Sequence, residues 1–279
     1  MKILILDSYY RMRDMAQMDI YKAMELSGHE IIYGNQLEWW RSMQWAGDYD
    51  ALYLGLVHEN MGIDWPALYF LNHGRPIYFD QADNEEFVSK HKARPYLKEK
   101  HTVISRYLPN ARIESFVAKI GYKLHLMPWY VDADRIRSMA GTQSKDIDVS
   151  FICSKEGIQR RGEINEVVNQ CVREFGLSHC LDDLFASAYY RMLARSKVLI
   201  IECDRKCLTQ KYIEAAVLGC HIIGDRPIYP ANNLQMTECN LMDKQSIAHA
   251  INSIINTQPP DNSAFIAEYC NHNNLKLPF

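Results

Sequence analysis

Short apolar, β-branched runs alternate along nearly the whole chain with stretches whose apolar residues recur every three or four positions. A strand-period run followed by a helix-period run is the pattern of βα units laid on a parallel sheet. In the first half the pattern predicts strands over 2–7, 30–33, 51–57, 76–80, 102–105 and 123–127, with a helix over 14–27 closed by Gly28. In the second half it predicts strands over 148–153, 198–202, 221–224 and 240–242, and helices over 161–175, 186–194, 211–218 and 245–256. After Pro259 and Pro260, the spacing of Phe265, Ile266, Tyr269 and Leu275 predicts a closing helix, a candidate to cross back to the first domain.

The alternation breaks at Met127-Pro128-Trp129-Tyr130-Val131-Asp132 and the polar stretch 140–146, then restarts. The expectation is an α/β protein of two Rossmann-like domains facing a central cleft. An N-terminal domain spans 1–128, and a C-terminal domain, expected to hold a nucleotide ligand, spans 129–279. Ligands in such sheets sit beyond the carboxyl ends of the strands.

Composition narrows the class. With 279 residues, 48% hydrophobic and 23% charged, the chain is long enough for two cores and is neither disordered nor a disulfide scaffold. The apolar stretch after Met1-Lys2 is too short for a signal peptide, and no run approaches the roughly 18 apolar residues of a membrane span. A cytoplasmic protein without a membrane partner is expected. The eight cysteines form no CxxC pair and lie largely in apolar segments, so buried thiols and no structural metal are expected, with His179-Cys180 and Cys203-x3-Cys207 the pairs to test.

A formal net charge of -3 argues against coating nucleic acid by bulk attraction. Between Lys90 and Lys123, however, nine Lys and Arg residues face only Glu99 and Glu114. Such a segment is either a set of solvated helix faces or a surface for a local anionic partner.

No GxGxxG follows the first strand and no GxxxxGK[ST] occurs, which removes most support for a dehydrogenase or a P-loop enzyme. Three Asp-x-Asp triplets, at 48–50, 132–134 and 146–148, could each hold a divalent ion, but their repetition shows how cheaply the pattern arises. The most informative stretch is Leu208-Thr209-Gln210-Lys211-Tyr212-Ile213-Glu214-Ala215-Ala216-Val217-Leu218-Gly219, between two predicted strands. A helix opening at Thr209, Gln210 and Lys211 offers free N–H groups, a partial positive charge and an ammonium to a diphosphate. Glu214, one turn on, has the two oxygens needed to accept both hydroxyls of a ribose. The plainer alternative is an i,i+3 surface ion pair between Lys211 and Glu214.

In these residues the chain resembles the nucleotide-sugar domain of GT-B glycosyltransferases, in which a basic residue and an EA-x-x-x-G helix recur. It is most similar to the CgeB-like, group 1 type, and more loosely to the phage DNA β-glucosyltransferase. Leu126-Met127-Pro128-Trp129-Tyr130-Val131-Asp132 resembles the interdomain junction of the family. Asp148-Val149-Ser150-Phe151-Ile152-Cys153-Ser154, with Arg160-Arg161, resembles its "DvsFiGs…R" stretch, and 190–197 the helix before the donor strand. The likeness covers about 125–250 well and the first half only as a fold. It implies a donor site in which Glu214 binds ribose, Lys211 binds the diphosphate, and Ser154 with Arg160 or Arg161 faces the donor from the opposite loop. Cys153 stands where the family has glycine. The implied substrate is a nucleotide-diphosphate sugar, a UDP-sugar first, with no obligatory metal.

For the acceptor, Pro76-Ile77-Tyr78-Phe79-Asp80-Gln81-Ala82-Asp83 puts two carboxylates at the end of a strand, and one could take the acceptor proton. Asp80 is preferred slightly over Asp83, which also suits a helix N-cap. The phage-enzyme resemblance implies an aspartate in about this place. His58 is a rival base. Asp7, Ser8 and Arg11 could line the pocket, and Trp39, Trp40 and Trp45 could stack on a ligand or fill the core.

The expected function is sugar transfer to a hydroxyl, with a hydroxymethylated DNA base among the acceptors that the basic segment and the phage resemblance suggest. The alternatives are a non-catalytic nucleotide-sugar binding module and a two-domain epimerase or phosphorylase.

Overall fold

The structure is a computed structural model, described here for residues 1–7, 15–35, 37–55, 64–81, 101–106, 111–119, 121–152, 159–181, 184, 186–203, 208–227 and 231–279. The chain forms two compact units. One comprises 1–130 together with 272–279, and the other 131–271.

In the first unit, β1 (Lys2–Asp7), β2 (Glu30–Asn35), β3 (Ala51–Leu54), β4 (Ile77–Gln81), β5 (Thr102–Ser105) and β6 (Lys123–Leu126) form a wholly parallel sheet in the order β2-β1-β3-β4-β5-β6. Helices α1 (Met15–Leu26), α2 (Trp39–Ala46), α3 (Trp65–Leu71) and α4 (Ala111–Lys119) belong to the same unit. Strands covered on both faces must be apolar at every position, and β1 is buried from Ile3 to Leu6. One pleat face, with Leu4, Leu6, Leu52, Leu54, Ile77 and Phe79, packs against Trp39 and Met43 of α2, Leu68 of α3 and Val117 of α4. On the other face Tyr21 of α1 meets Tyr53 edge to face, ring centroids 5.9 Å apart. The last residues return to this unit. Phe279 packs edge-on against Tyr78 and His29, and His125 Nε2 donates to the Lys276 carbonyl at 2.6 Å.

In the second unit, β7 (Ile147–Ser150), β8 (His179–Cys180), β9 (Ser196–Ile201), β10 (His221–Gly224) and β11 (Thr237–Glu238) are again all parallel, in the order β11-β10-β9-β7-β8. Helices α5 (Ala133–Ala140), α6 (Gln159–Glu174), α7 (Ala186–Arg195), α8 (Gln210–Val217), α9 (Lys244–Ile254) and α10 (Ser263–Tyr269) complete it. Val149, Phe151, Val198, Ile200 and Ile223 pack against Ile164, Val168 and Val172 of α6 and Ile247 and Ile251 of α9. Gly224 ends β10 at φ 128°, and a Cβ there would lie 2.2 Å from the Ile201 carbonyl oxygen. Only glycine fits.

Two expectations need correction. The strand expected over 240–242 is a turn, because the Asn240 side chain accepts from the Met242 N–H and Asp243 caps α9; the edge strand is Thr237–Glu238 instead. The last eight residues lie with the first unit, not with the domain expected over 129–279. The closing helix itself, α10, stays in the second unit, where the Tyr269 carbonyl accepts from Val131 N–H.

Candidate functional site

Each sheet reverses its winding once. In the second unit the reversal lies between β7 and β9, the place where an open α/β sheet binds ligands. Phe151 and Ile152 leave β7 there, Glu202 follows β9, and Thr209 is the N-cap of α8. Together with Arg161, Ile200, Ile201 and Lys211 they line a cavity of about 60 Å³.

Thr209 caps its helix in an unusual way. Its backbone is extended, as a cap requires, yet the side chain makes no cap hydrogen bond. The buried Oγ1 meets no hydrogen-bond partner among the described residues. Lys211 donates from Nζ to the Ile152 carbonyl at 2.7 Å, so the ammonium stands between the start of α8 and the end of β7. Gln210 opens α8 and is half-buried.

Arg160 and Arg161, at the start of α6, converge on two acids that the sequence pattern had not singled out. Arg161 Nε meets Glu202 Oε2 at 2.9 Å, and Arg160 reaches Glu202 Oε1 at 3.6 Å and Asp225 Oδ2 at 2.8 Å. Asp225 also accepts from the Cys203 N–H at 2.9 Å. Glu202 ends one predicted strand and Asp225 follows the next, and two acids at neighbouring strand ends opposite an Arg-Arg pair were a signal available in the sequence. Ser154 lies outside the described residues.

Glu214 is 6% exposed, and each oxygen takes one tyrosine hydroxyl: Tyr190 on Oε1 at 2.9 Å and Tyr189 on Oε2 at 2.8 Å. The plainer alternative of a surface ion pair with Lys211 gives way to a buried carboxylate. Burial pushes the Glu214 carboxyl above its ordinary range, opposed by the two hydroxyls, by Lys211 and by Arg135. Arg135 lies over the Tyr190 ring, 5.8 Å from its centroid.

In the first unit the carboxyl ends of β1, β3, β4 and β5 carry a buried polar network. Asp80 is fully buried, and its carboxylate takes Arg106 on both oxygens and the Tyr53 hydroxyl at 2.5 Å. Arg106 extends to the carbonyls of Met127 and Pro128 at 3.4 Å and lies over Trp129, 5.2 Å from the ring centroid. Burial pulls its guanidinium down, and Asp80 more than offsets this. Beside them Tyr21 donates to Asp7, which is also fully buried. Burial, then Asp7, raises the Tyr21 hydroxyl well above its ordinary value. Gly55 is required here, since a Cβ would meet Asp7 Oδ2 at 2.6 Å.

Asp80, read from the sequence as the preferred acceptor base, is held in this structure by Arg106 and Tyr53. Asp83, His58, Ser8 and Arg11 lie outside the described residues. Of the tryptophans, Trp39 is core, while Trp40 and Trp45 are exposed, and Arg41 lies over Trp40. From the basic stretch Lys119 and Lys123 are exposed and Arg106 is committed to Asp80, while 90–100 is outside the described residues.

Each Asp-x-Asp triplet has structural work. Asp48 pairs with Arg75 and Asp50 accepts from Lys2 N–H; Asp132 caps α5 and Asp134 pairs with Arg137; Asp146 pairs with Arg195 and Asp148 with Lys197. Among the described residues no three His, Cys, Asp or Glu are grouped to hold a metal ion, and no helix is long and apolar enough to cross a membrane.

No protein-family model matches the chain, and no curated protein matches it. Solved structures do. The fold is similar to Anabaena Alr3699/HepE in complex with UDP, at 12% identity over 98% of this chain and 96% of that one, TM-score 0.59. It is similar to the sucrose-phosphate synthase of Thermosynechococcus elongatus at 9% identity, 98% and 95% coverage and TM-score 0.61. The DNA-modifying enzyme β-glucosyltransferase, studied with and without uridine diphosphoglucose, matches at 10% identity, 96% and 96% coverage and TM-score 0.59. Across essentially the whole chain, the fold is that of GT-B glycosyltransferases.

Proposed function

We propose that this protein transfers a sugar from a nucleotide-diphosphate sugar, UDP first among the nucleotides, to a hydroxyl acceptor. The observation that carries this reading is the cavity at the start of α8, lined by Thr209, Lys211 and Arg161, in which the Thr209 hydroxyl has no hydrogen-bond partner among the described residues. A helix N-terminus with two cations suits a diphosphate, whose charge grows as the sugar departs. Thr209 and Gln210 supply the helix-start groups, Lys211 meets the phosphates, and Glu214 accepts from the ribose. Arg160 and Arg161, at the start of α6 and steadied by Glu202 and Asp225, border the donor, and Ser154 is the further donor contact the resemblance implies. The UDP and uridine diphosphoglucose named for two structurally similar proteins support this class of donor.

For the acceptor step, the base is sought just past the first sheet. Asp83, after β4, is the first candidate and His58, after β3, the second, with Asp80 holding the strand end through Arg106. A hydroxymethylated DNA base is the second-level reading of the acceptor, supported by the similarity to the DNA-modifying enzyme and by the basic residues of 90–123. Transfer to DNA would fall steeply with added salt, and a salt-independent transfer removes that acceptor.

The test is a thermal-shift panel of UDP, GDP, ADP, CDP and TDP with their sugar conjugates, on the wild type, Lys211→Ala and Glu214→Ala. A ligand at a hundredfold excess over Kd adds about 2.7 kcal/mol of stability. A shift selective for one nucleotide and lost in both variants supports the donor site; no shift with any of them overturns the reading. Donor binding with neither transfer nor hydrolysis would favour a non-catalytic binding module.

A further inference from the structure

The α7 residues Tyr189 and Tyr190 do something that neither the ribose nor the diphosphate assignment requires. They are consecutive, yet both hydroxyls converge on one carboxylate, one on each oxygen of Glu214. The two rings meet edge to face, 5.1 Å apart, each packed against the other. Burial, followed by Glu214, raises both hydroxyls above their ordinary values, which keeps each one a donor. An ionised carboxylate has about four acceptor positions. Among the described residues two are occupied, one on each oxygen, and the two that are left belong to different oxygens. Fixed in this way, the carboxylate keeps one acceptor position on each oxygen, the arrangement that a pair of neighbouring donors requires.

We infer that Tyr189 and Tyr190 are positioning residues that lock the Glu214 carboxylate for a vicinal diol, and so make the donor site select ribose over 2′-deoxyribose. The inference rests on the proposed role of Glu214 toward the ribose. A carboxylate free to rotate would still accept one hydroxyl, and would bind a deoxynucleotide nearly as well. Held by both tyrosines, it takes two hydroxyls in one geometry and leaves an acceptor unpaired when the 2′-hydroxyl is missing. A site built to bond a hydroxyl rejects the analogue that lacks it. Arg135, over the Tyr190 ring, holds a positive charge near the assembly and favours the ionised form of Glu214.

The experiment measures binding of UDP, GDP and ADP, each beside its 2′-deoxy counterpart, by titration calorimetry. The proteins are the wild type, Tyr189→Phe, Tyr190→Phe, the double variant and Glu214→Gln. Phenylalanine keeps each ring in its packing, and an unchanged circular dichroism spectrum checks the fold. The expected result is a ribose preference of at least about tenfold in the wild type, for whichever nucleotide binds, on the scale of one charged hydrogen bond. Each phenylalanine variant should lower that preference several-fold, mainly through the ribonucleotide, and the double variant should nearly abolish it. If the tyrosine variants weaken both members of a pair equally, or leave the ratio unchanged while Glu214→Gln collapses it, the tyrosines are structural and this inference fails alone. If Glu214→Gln keeps the full preference, or no nucleotide binds the wild type, the ribose assignment fails and takes the inference with it.

Discussion

Lys211 lies three residues before Glu214 on α8, and its ammonium donates to the carbonyl of Ile152 at 2.7 Å, bridging the start of that helix to the end of β7. The bond places a positive charge on the wall of the small cavity at the start of α8. Lys211→Ala is therefore expected to weaken nucleoside diphosphate binding by about 1.5–3 kcal/mol, the scale of hydrogen bonds to charged groups. The nucleoside without phosphates should lose far less. Calorimetry on the two ligands decides it, and equal losses would place Lys211 away from the phosphates.

The Glu214 carboxyl, raised by burial, binds its proton more tightly in the folded than in the unfolded chain. Its contribution to stability is thus fully present below the unfolded value of about 4.3 and is lost as pH rises through the higher folded value. Glu214→Gln removes this dependence. The Tm of that variant relative to wild type should be higher at pH 7 than at pH 4, and an unchanged difference across that range would contradict the shift.

Asp80 and Arg106 have no solvent to fall back on. Removing one partner of a buried ion pair typically costs about 3–5 kcal/mol, whereas removing both together costs much less than the sum. Asp80→Asn and Arg106→Met are each expected to unfold at clearly lower urea concentration, with a strongly non-additive double variant. Additive losses would mean the two residues act separately.

Asp83→Asn is expected to abolish transfer at least 100-fold, the lower range for a general base, while donor binding and Tm stay as in wild type. If full activity survives, His58→Gln becomes the variant to measure.

Gly224→Ala should destabilise the second unit by more than about 1 kcal/mol, since its left-handed backbone disfavours any side chain and the new Cβ would collide with the Ile201 carbonyl. Thermal unfolding reads this directly.

Much of this architecture is written in period and punctuation. The runs Ile3 to Leu6 and Val198 to Ile201 are apolar at every position because both faces are covered, so their strands could be placed from pattern alone. The edges were harder. β8 is two residues long, and Thr237–Glu238 is polar and pairs on one side, so neither carries a periodic signal. The candidate site divided in the same way. Thr209, Lys211 and Glu214 were legible because a helix start and its spacing are local properties. That Glu214 is buried under Tyr189 and Tyr190, or that Asp80 is clamped by Arg106, depends on residues 24 to 26 positions away. Local spacing carries no information about such partners.

Met1 and Phe279 belong to the same unit, with 131–271 inserted between its two parts. In chain terms the second unit is a cassette and the first is its interrupted host. The cassette is one continuous stretch, so it can be exchanged for the corresponding stretch of another GT-B protein with two junctions, near 130 and 272. The host cannot be isolated by cutting after residue 130, because that cut discards Phe279 and Lys276, which pack against Tyr78, His29 and His125. A chimaera built on this host must therefore keep the host's own last eight residues.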